Sequence, residues 1–176
     1  MNLPNFLSIS RLLLLIPIIF FFENGFYLLS AIIFIIASIT DYLDGYIARK
    51  NNLSSEVGAI LDLLSDKLFV SIILIWMTYY FESLFIFLST ILIVAREISI
   101  SFLRLHLVLK SKDLSDVKAD LFGKLKTVLQ MFSLGIILIS PYFDNLVFSF
   151  FEILLMMSAI FTWISLLKYL VSWNEK

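Results

Sequence analysis

Long apolar runs separated by short polar or turn-forming clusters dominate the chain. The runs cover residues 10–22, 26–48, 58–80, 84–105, 121–140 and 146–170. Because about 20 predominantly apolar residues cross the hydrocarbon core as an α-helix, this pattern predicts six transmembrane helices. The first run is short and begins at Arg11, as a signal peptide could. No A-x-A-like site follows it and the next apolar run starts almost at once, so it reads as an uncleaved first span. Asn2, Pro4, Asn5 and Ser8 ahead of it suggest a short interfacial helix, with Ser8 or Ser10 as its cap. The expected fold class is all-α: a polytopic membrane protein of six transmembrane helices with a short N-terminal interfacial segment, residues 1–176 forming a single membrane domain.

Composition sharpens this picture mainly by exclusion. Of 176 residues, 61% are hydrophobic and 15% charged, which lies outside the range of soluble domains. Six helices of about 21 residues leave room only for loops and ends. With no cysteine, disulfides, thiolate metal sites and cysteine nucleophiles are excluded, and the single His106 argues against a multi-histidine zinc or haem site. The net charge of -1 gives no reason to expect a nucleic-acid partner. The placement of the basic residues says more. Arg11, Arg49, Lys50, Lys67, Arg104, Lys110, Lys112, Lys118, Lys124, Lys126, Lys168 and Lys176 fall on or near one side of the six-span path, which the positive-inside rule makes cytoplasmic, together with both termini. The opposite turns, at 23–25, 81–83 and 141–145, hold acids and no Lys or Arg. Of the basic residues only Arg96 sits well inside a span, which marks it as a functional candidate.

The acidic residues supply the candidate chemistry. Asp41 and Asp44 are spaced i, i+3 at the cytoplasmic end of the second predicted helix; Asp62 and Asp66 are spaced i, i+4 at the start of the third. Each pair shares a helical face, and two antiparallel helices can bring the pairs together. Four carboxylates there repel one another and lose hydration at a cost of several kcal/mol per ion unless cations compensate them. Two divalent ions match the formal charge of the four aspartates, and all-oxygen ligation favours Mg²⁺, Mn²⁺ or Ca²⁺ over Zn²⁺. Such a pair of ions can clamp a diphosphate and assist displacement at phosphorus. Gly45 and Ala48 lie on the same helix as Asp41 and Asp44 and permit close approach of a ligand; Arg49 is placed to meet phosphate oxygens. Taken singly, Gly45 and Gly58 read as packing or turn residues, and Arg49 and Lys67 as interfacial anchors. The acidic register is what a packing account leaves unexplained.

At these positions the sequence resembles the CDP-alcohol phosphotransferase family, whose signature is D-x2-D-G-x2-A-R-x8-G-x3-D-x3-D. Asp41, Asp44, Gly45, Ala48, Arg49, Gly58, Asp62 and Asp66 match every specified position. The resemblance implies six transmembrane helices, a site opening to the cytoplasmic side and a homodimer. Three further segments resemble the branch that makes phosphatidylglycerophosphate: Asn2 to Asn5 with Arg11, then Arg96-Glu97 with Ser101 and Arg104, then Gly123 to Thr127 with Gln130-Met131. Two features depart from that branch: Leu63 stands where proline is frequent after the third aspartate, and residues 110–120 are more acidic than usual.

The resemblance implies CDP-diacylglycerol as donor and sn-glycerol 3-phosphate as acceptor, in the inner membrane of a bacterium. It implies that Asp41, Asp44, Asp62 and Asp66 hold two Mg²⁺ or Mn²⁺ ions, with Asp66 also the general base. Thr40, Gly45, Ala48, Arg49 and Gly58 would line the CDP-lipid site, and Arg96, Arg104, Lys124 and Lys126 the acceptor phosphate, with Asn5, Arg11 and Lys67 in support. The diacyl tails stay among the membrane lipids. The signature leaves the acceptor open, so phosphatidylinositol phosphate, cardiolipin and phosphatidylserine synthases are the alternatives within the family. Outside it stands an ion transporter using intramembrane carboxylates; a non-catalytic scaffold gives no reason for the aspartate register.

Overall fold

The computed structural model describes the backbone of residues 9–51, 56–109 and 121–174, and their side chains except at 41–51, 56–63, 104–109, 121–124, 169 and 172–174. Asn2, Pro4, Asn5 and the expected interfacial helix lie outside it. The described residues contain no strand. Their helices are α1 (Leu15–Glu23), α2 (Tyr27–Asn51), α3 (Glu56–Phe81), α4 (Leu84–Leu109), α5 (Leu121–Ile139) and α6 (Asn145–Asn174), with a 3₁₀ turn at Ser140–Tyr142. Residues 9–13 are also helical and lead into α1. Each helix occupies one of the predicted apolar runs, and the described turns fall at the acid-bearing breaks 23–25, 81–83 and 141–145.

Among the described residues, four segments are long and apolar enough to cross a bilayer: Leu64–Phe81, Leu84–Leu103, Leu125–Tyr142 and Asn145–Lys168. The described part of α2 contributes a shorter apolar helix, Tyr27–Thr40. The chain is therefore a helical membrane protein. It divides into two compact units: Met1–Trp76 with Gly135–Phe148, and Met77–Leu134 with Ser149–Lys176.

In the first unit, α1 ends in a Schellman motif. The N–H of Phe26 donates to the carbonyl of Phe21 (2.8 Å) and that of Gly25 to Phe22 (2.9 Å), while the rings of Phe21 and Phe26 meet edge to face at 6.2 Å. Gly25 has φ +82°, and a Cβ built there meets nothing within 4 Å, so its requirement for glycine is conformational rather than steric. Gly25→Ala should therefore cost about 1 kcal/mol and lower the melting temperature in detergent by a few degrees, with Gly25→Asn milder; an unchanged melting curve for the alanine variant would contradict this. The turn folds α2 back along α1, where Ser30 Oγ donates to the Ile18 carbonyl at 2.8 Å.

Two contacts then fix α1 against α3. Arg11 Nη1 meets Asp66 Oδ1 at 2.8 Å, and Trp76 Nε1 donates to Glu23 Oε1 at 3.0 Å. Both partners advance together along the chain, so α1 and α3 run parallel and α2 runs opposite to both. Leu15, Ile18 and Phe22 of α1, Ala31, Phe34 and Ala37 of α2, and Phe69 and Ile73 of α3 are buried at helical spacing. The opposite faces keep exposed apolar side chains such as Ile16 and Phe20, the pattern of a lipid-facing surface.

In the second unit, Ile86, Ile93 and Ile100 form the buried stripe of α4, and Leu155, Ala159 and Leu166 that of α6. Polar groups join the helices between these apolar positions. Trp163 Nε1 donates to the Leu92 carbonyl at 3.0 Å, and the hydroxyls of Thr78 and Thr90 lie 3.0 Å apart. Ser83 accepts from the Ile86 N–H at the start of α4 and donates to the buried carboxylate of Glu152. Lipid offers no hydrophobic force to drive helices together, so such interhelical bonds and small residues select the packing.

Candidate active site

The backbone is helical through all four signature aspartates, so Asp41 and Asp44 share one face of α2, and Asp62 and Asp66 one face of α3. Packing sets their relative level. The rings of Phe34 and Phe69 stack at 5.9 Å with 15° between their planes. Moving seven residues toward the α2–α3 connection reaches Asp41 on one helix and Asp62 on the other, each about 10.5 Å of helix rise from the ring pair. The antiparallel pair thus sets the first and third aspartates level. Asp44 lies about one turn beyond them and Asp66 about one turn before.

Asp66 is the signature carboxylate whose side chain is described. It is 49% exposed, while its partner Arg11 is 1% exposed, and Ser65 beside it is buried. Lys67 is half-buried. Thr40, the residue before the signature, donates its hydroxyl to the Ala37 carbonyl at 2.8 Å. The side chains of Asp41, Asp44, Ala48, Arg49, Asp62, Arg104 and Lys124 lie outside the described residues, while Gly45 and Gly58 are placed only as helical backbone. Among the described residues no group of three or more His, Cys, Asp or Glu side chains could hold a metal ion. Carboxylates, the residue type at all four signature acids, are ligands that suit hard divalent cations.

The second unit contains a separate charged cluster. Arg96 Nη1 and Lys126 Nζ both donate to Glu97 Oε1, at 2.7 and 2.9 Å. All three side chains are four-fifths or more buried. The structure thus brings together two of the four cations expected to hold the acceptor phosphate, through a carboxylate to which the sequence reading gave no role. The signal was present: a second charge beside Arg96 inside a span has no inexpensive explanation except pairing. Arg96 Nε is buried and has no hydrogen-bond partner among the described residues. A buried donor left so costs about 1–3 kcal/mol until an acceptor reaches it. The cluster sets two cations on one carboxylate oxygen.

Apolar helices, two of them carrying the signature aspartates, define a helical membrane protein. The family model of CDP-alcohol phosphatidyltransferase matches residues 1–168, and the chain belongs to that family. Among its relatives is the CDP-diacylglycerol--glycerol-3-phosphate 3-phosphatidyltransferase of Wigglesworthia glossinidia brevipalpis, 36% identical over 182 residues that cover 99% of this chain and 97% of the relative. Enzymes of the same name from Rickettsia bellii and Salmonella typhimurium are each 38% identical, over 96% of this chain and 93% of theirs.

Proposed function

We propose that this protein transfers the phosphatidyl group of CDP-diacylglycerol to sn-glycerol 3-phosphate, giving phosphatidylglycerophosphate and CMP. The observation that carries the reading is the complete aspartate signature on two helices locked in antiparallel register, in a chain similar over nearly its whole length to enzymes named for this reaction. The acceptor's primary hydroxyl oxygen attacks the phosphorus bearing the diacylglycerol, the bond from that phosphorus to the bridging oxygen breaks, and CMP departs with the electron pair. Asp66 takes the hydroxyl proton. Asp41, Asp44, Asp62 and Asp66 would hold two divalent ions, Mg²⁺ or Mn²⁺, which neutralise the diphosphate and stabilise the leaving phosphate when bound. Thr40, Gly45, Ala48, Arg49 and Gly58 line the CDP-lipid, with Asn5 and Lys67 in support.

Arg96 and Lys126 hold the acceptor phosphate, joined by Arg104 and Lys124. Arg96 Nε, buried and without a partner among the described residues, supports this role, since a phosphate oxygen would satisfy it. In this reading residues 1–176 act as one catalytic membrane domain with six membrane-embedded helices, the termini and site on the cytoplasmic side of a bacterial inner membrane, and the enzyme works as a homodimer. An acceptor panel tests the reaction. Purified protein with CDP-diacylglycerol and Mg²⁺ or Mn²⁺ should release CMP with glycerol 3-phosphate and not with inositol phosphate, serine or phosphatidylglycerol. Release with one of the others alone would reassign the acceptor; release with none, under any metal, would remove the enzyme reading.

A further inference from the structure

Arg11 is the most deeply buried cation among the described residues, at 1% exposure. It lies on the helical residues that precede α1, 55 positions before Asp66, and its Nη1 donates to Asp66 Oδ1 at 2.8 Å. Taking a guanidinium out of water costs several kcal/mol unless a carboxylate compensates it closely. The compensation here is lopsided: the cation is enclosed, while the carboxylate remains half exposed. An ion pair that served only to tie α1 to α3 could sit at any level of the two helices. This one sits on the last aspartate of the signature. The Trp76–Glu23 bond and the tight turn at Gly25 hold α1 in place independently, and so fix the level from which Arg11 reaches.

We propose that Arg11 is a positioning residue for Asp66, an inference that rests on Asp66 accepting the acceptor proton. The terminal torsion of an aspartate is broad and two-fold, so an unanchored carboxylate exchanges its two oxygens freely. A charge-assisted bond to Oδ1 makes the oxygens inequivalent and holds one orientation. Arg11 also gives Asp66 a resident counter-charge. Asp66 is thereby matched before any divalent ion arrives, so an ion that draws on Asp66 competes with Arg11.

The test compares the wild-type chain with Arg11→Met, Arg11→Lys, Asp66→Asn and the Arg11→Met/Asp66→Asn double variant, all full length in detergent. Methionine keeps the buried volume, and lysine keeps the charge. Arg11→Met should lower kcat roughly 10–100-fold, as loss of a residue supporting a metal-site ligand commonly does. KM for both substrates should stay within about threefold, and Arg11→Lys should recover part of the rate. In the Asp66→Asn background the same change should cost less than about threefold more, because the two residues act as one unit. Mn²⁺ binding followed by EPR without substrate should be several-fold tighter in Arg11→Met, since a competing cation is gone. Losses that multiply in the double variant, or Mn²⁺ binding that is unchanged or weakened in Arg11→Met, would overturn the proposal. If the wild-type protein releases no CMP, the proposed reaction fails by itself, and the Mn²⁺ comparison still decides whether Arg11 acts on Asp66.

Discussion

Asp66→Asn should lower kcat by about 10²–10⁴-fold, the range that a general base contributes, while CDP-diacylglycerol binds within a few-fold of its wild-type affinity. The asparagine is the same size as the carboxylate, and its Oδ1 can still accept the 2.8 Å bond from Arg11, so the packing of α1 against α3 is preserved. What it loses is the capacity to take a proton. Binding of the CDP-lipid draws on the other aspartates and the small residues of α2, which this change leaves alone. Asp66→Ala is less informative, because it also deletes the acceptor of an enclosed guanidinium and so mixes catalysis with stability. The measurement is steady-state CMP release at saturating acceptor beside equilibrium binding of CDP-diacylglycerol. Equal losses in both would make Asp66 a structural ligand and move proton transfer elsewhere.

Asp66 also shows how far the amino-acid sequence reaches here. Helix existence and order were legible because an apolar run in a bilayer has one stable backbone solution, and each predicted run contains a helix. The register of the aspartates was legible too, since spacings of three and four residues define a face on any helix. The pairing of Arg11 with Asp66 was not. It depends on the level at which α1 settles against α3, and that level is set by Phe22, Glu23 and Trp76, residues that look like ordinary interfacial aromatics and acids until they meet. Glu97 was missed for a related reason: a carboxylate next to Arg96 reads as local charge balance, and only the approach of α5 shows that Lys126 shares the same oxygen.

The second large effect concerns that shared oxygen. Charge-assisted hydrogen bonds contribute about 1.5–3 kcal/mol each, so removing one from a bound phosphate should raise KM for glycerol 3-phosphate by roughly 10–100-fold. Arg96→Met is the variant of choice. Glu97 then keeps Lys126 as its partner, so no acid is stranded in the interior, and only the guanidinium with its spare Nε is lost. At saturating acceptor the rate should recover most of its wild-type value, and KM for CDP-diacylglycerol should not move, since the interaction removed is made equally in ground and transition states. Arg96→Lys should fall between, because an ammonium replaces one charge but not the planar fork that reaches Glu97 and a phosphate together. Inorganic phosphate provides a control without turnover: it should compete with glycerol 3-phosphate in the wild-type enzyme and do so far less in Arg96→Met. If KM stays unchanged while the melting temperature drops, the Arg96–Glu97–Lys126 cluster is a buried ion network that holds α4 to α5, and the acceptor phosphate binds elsewhere.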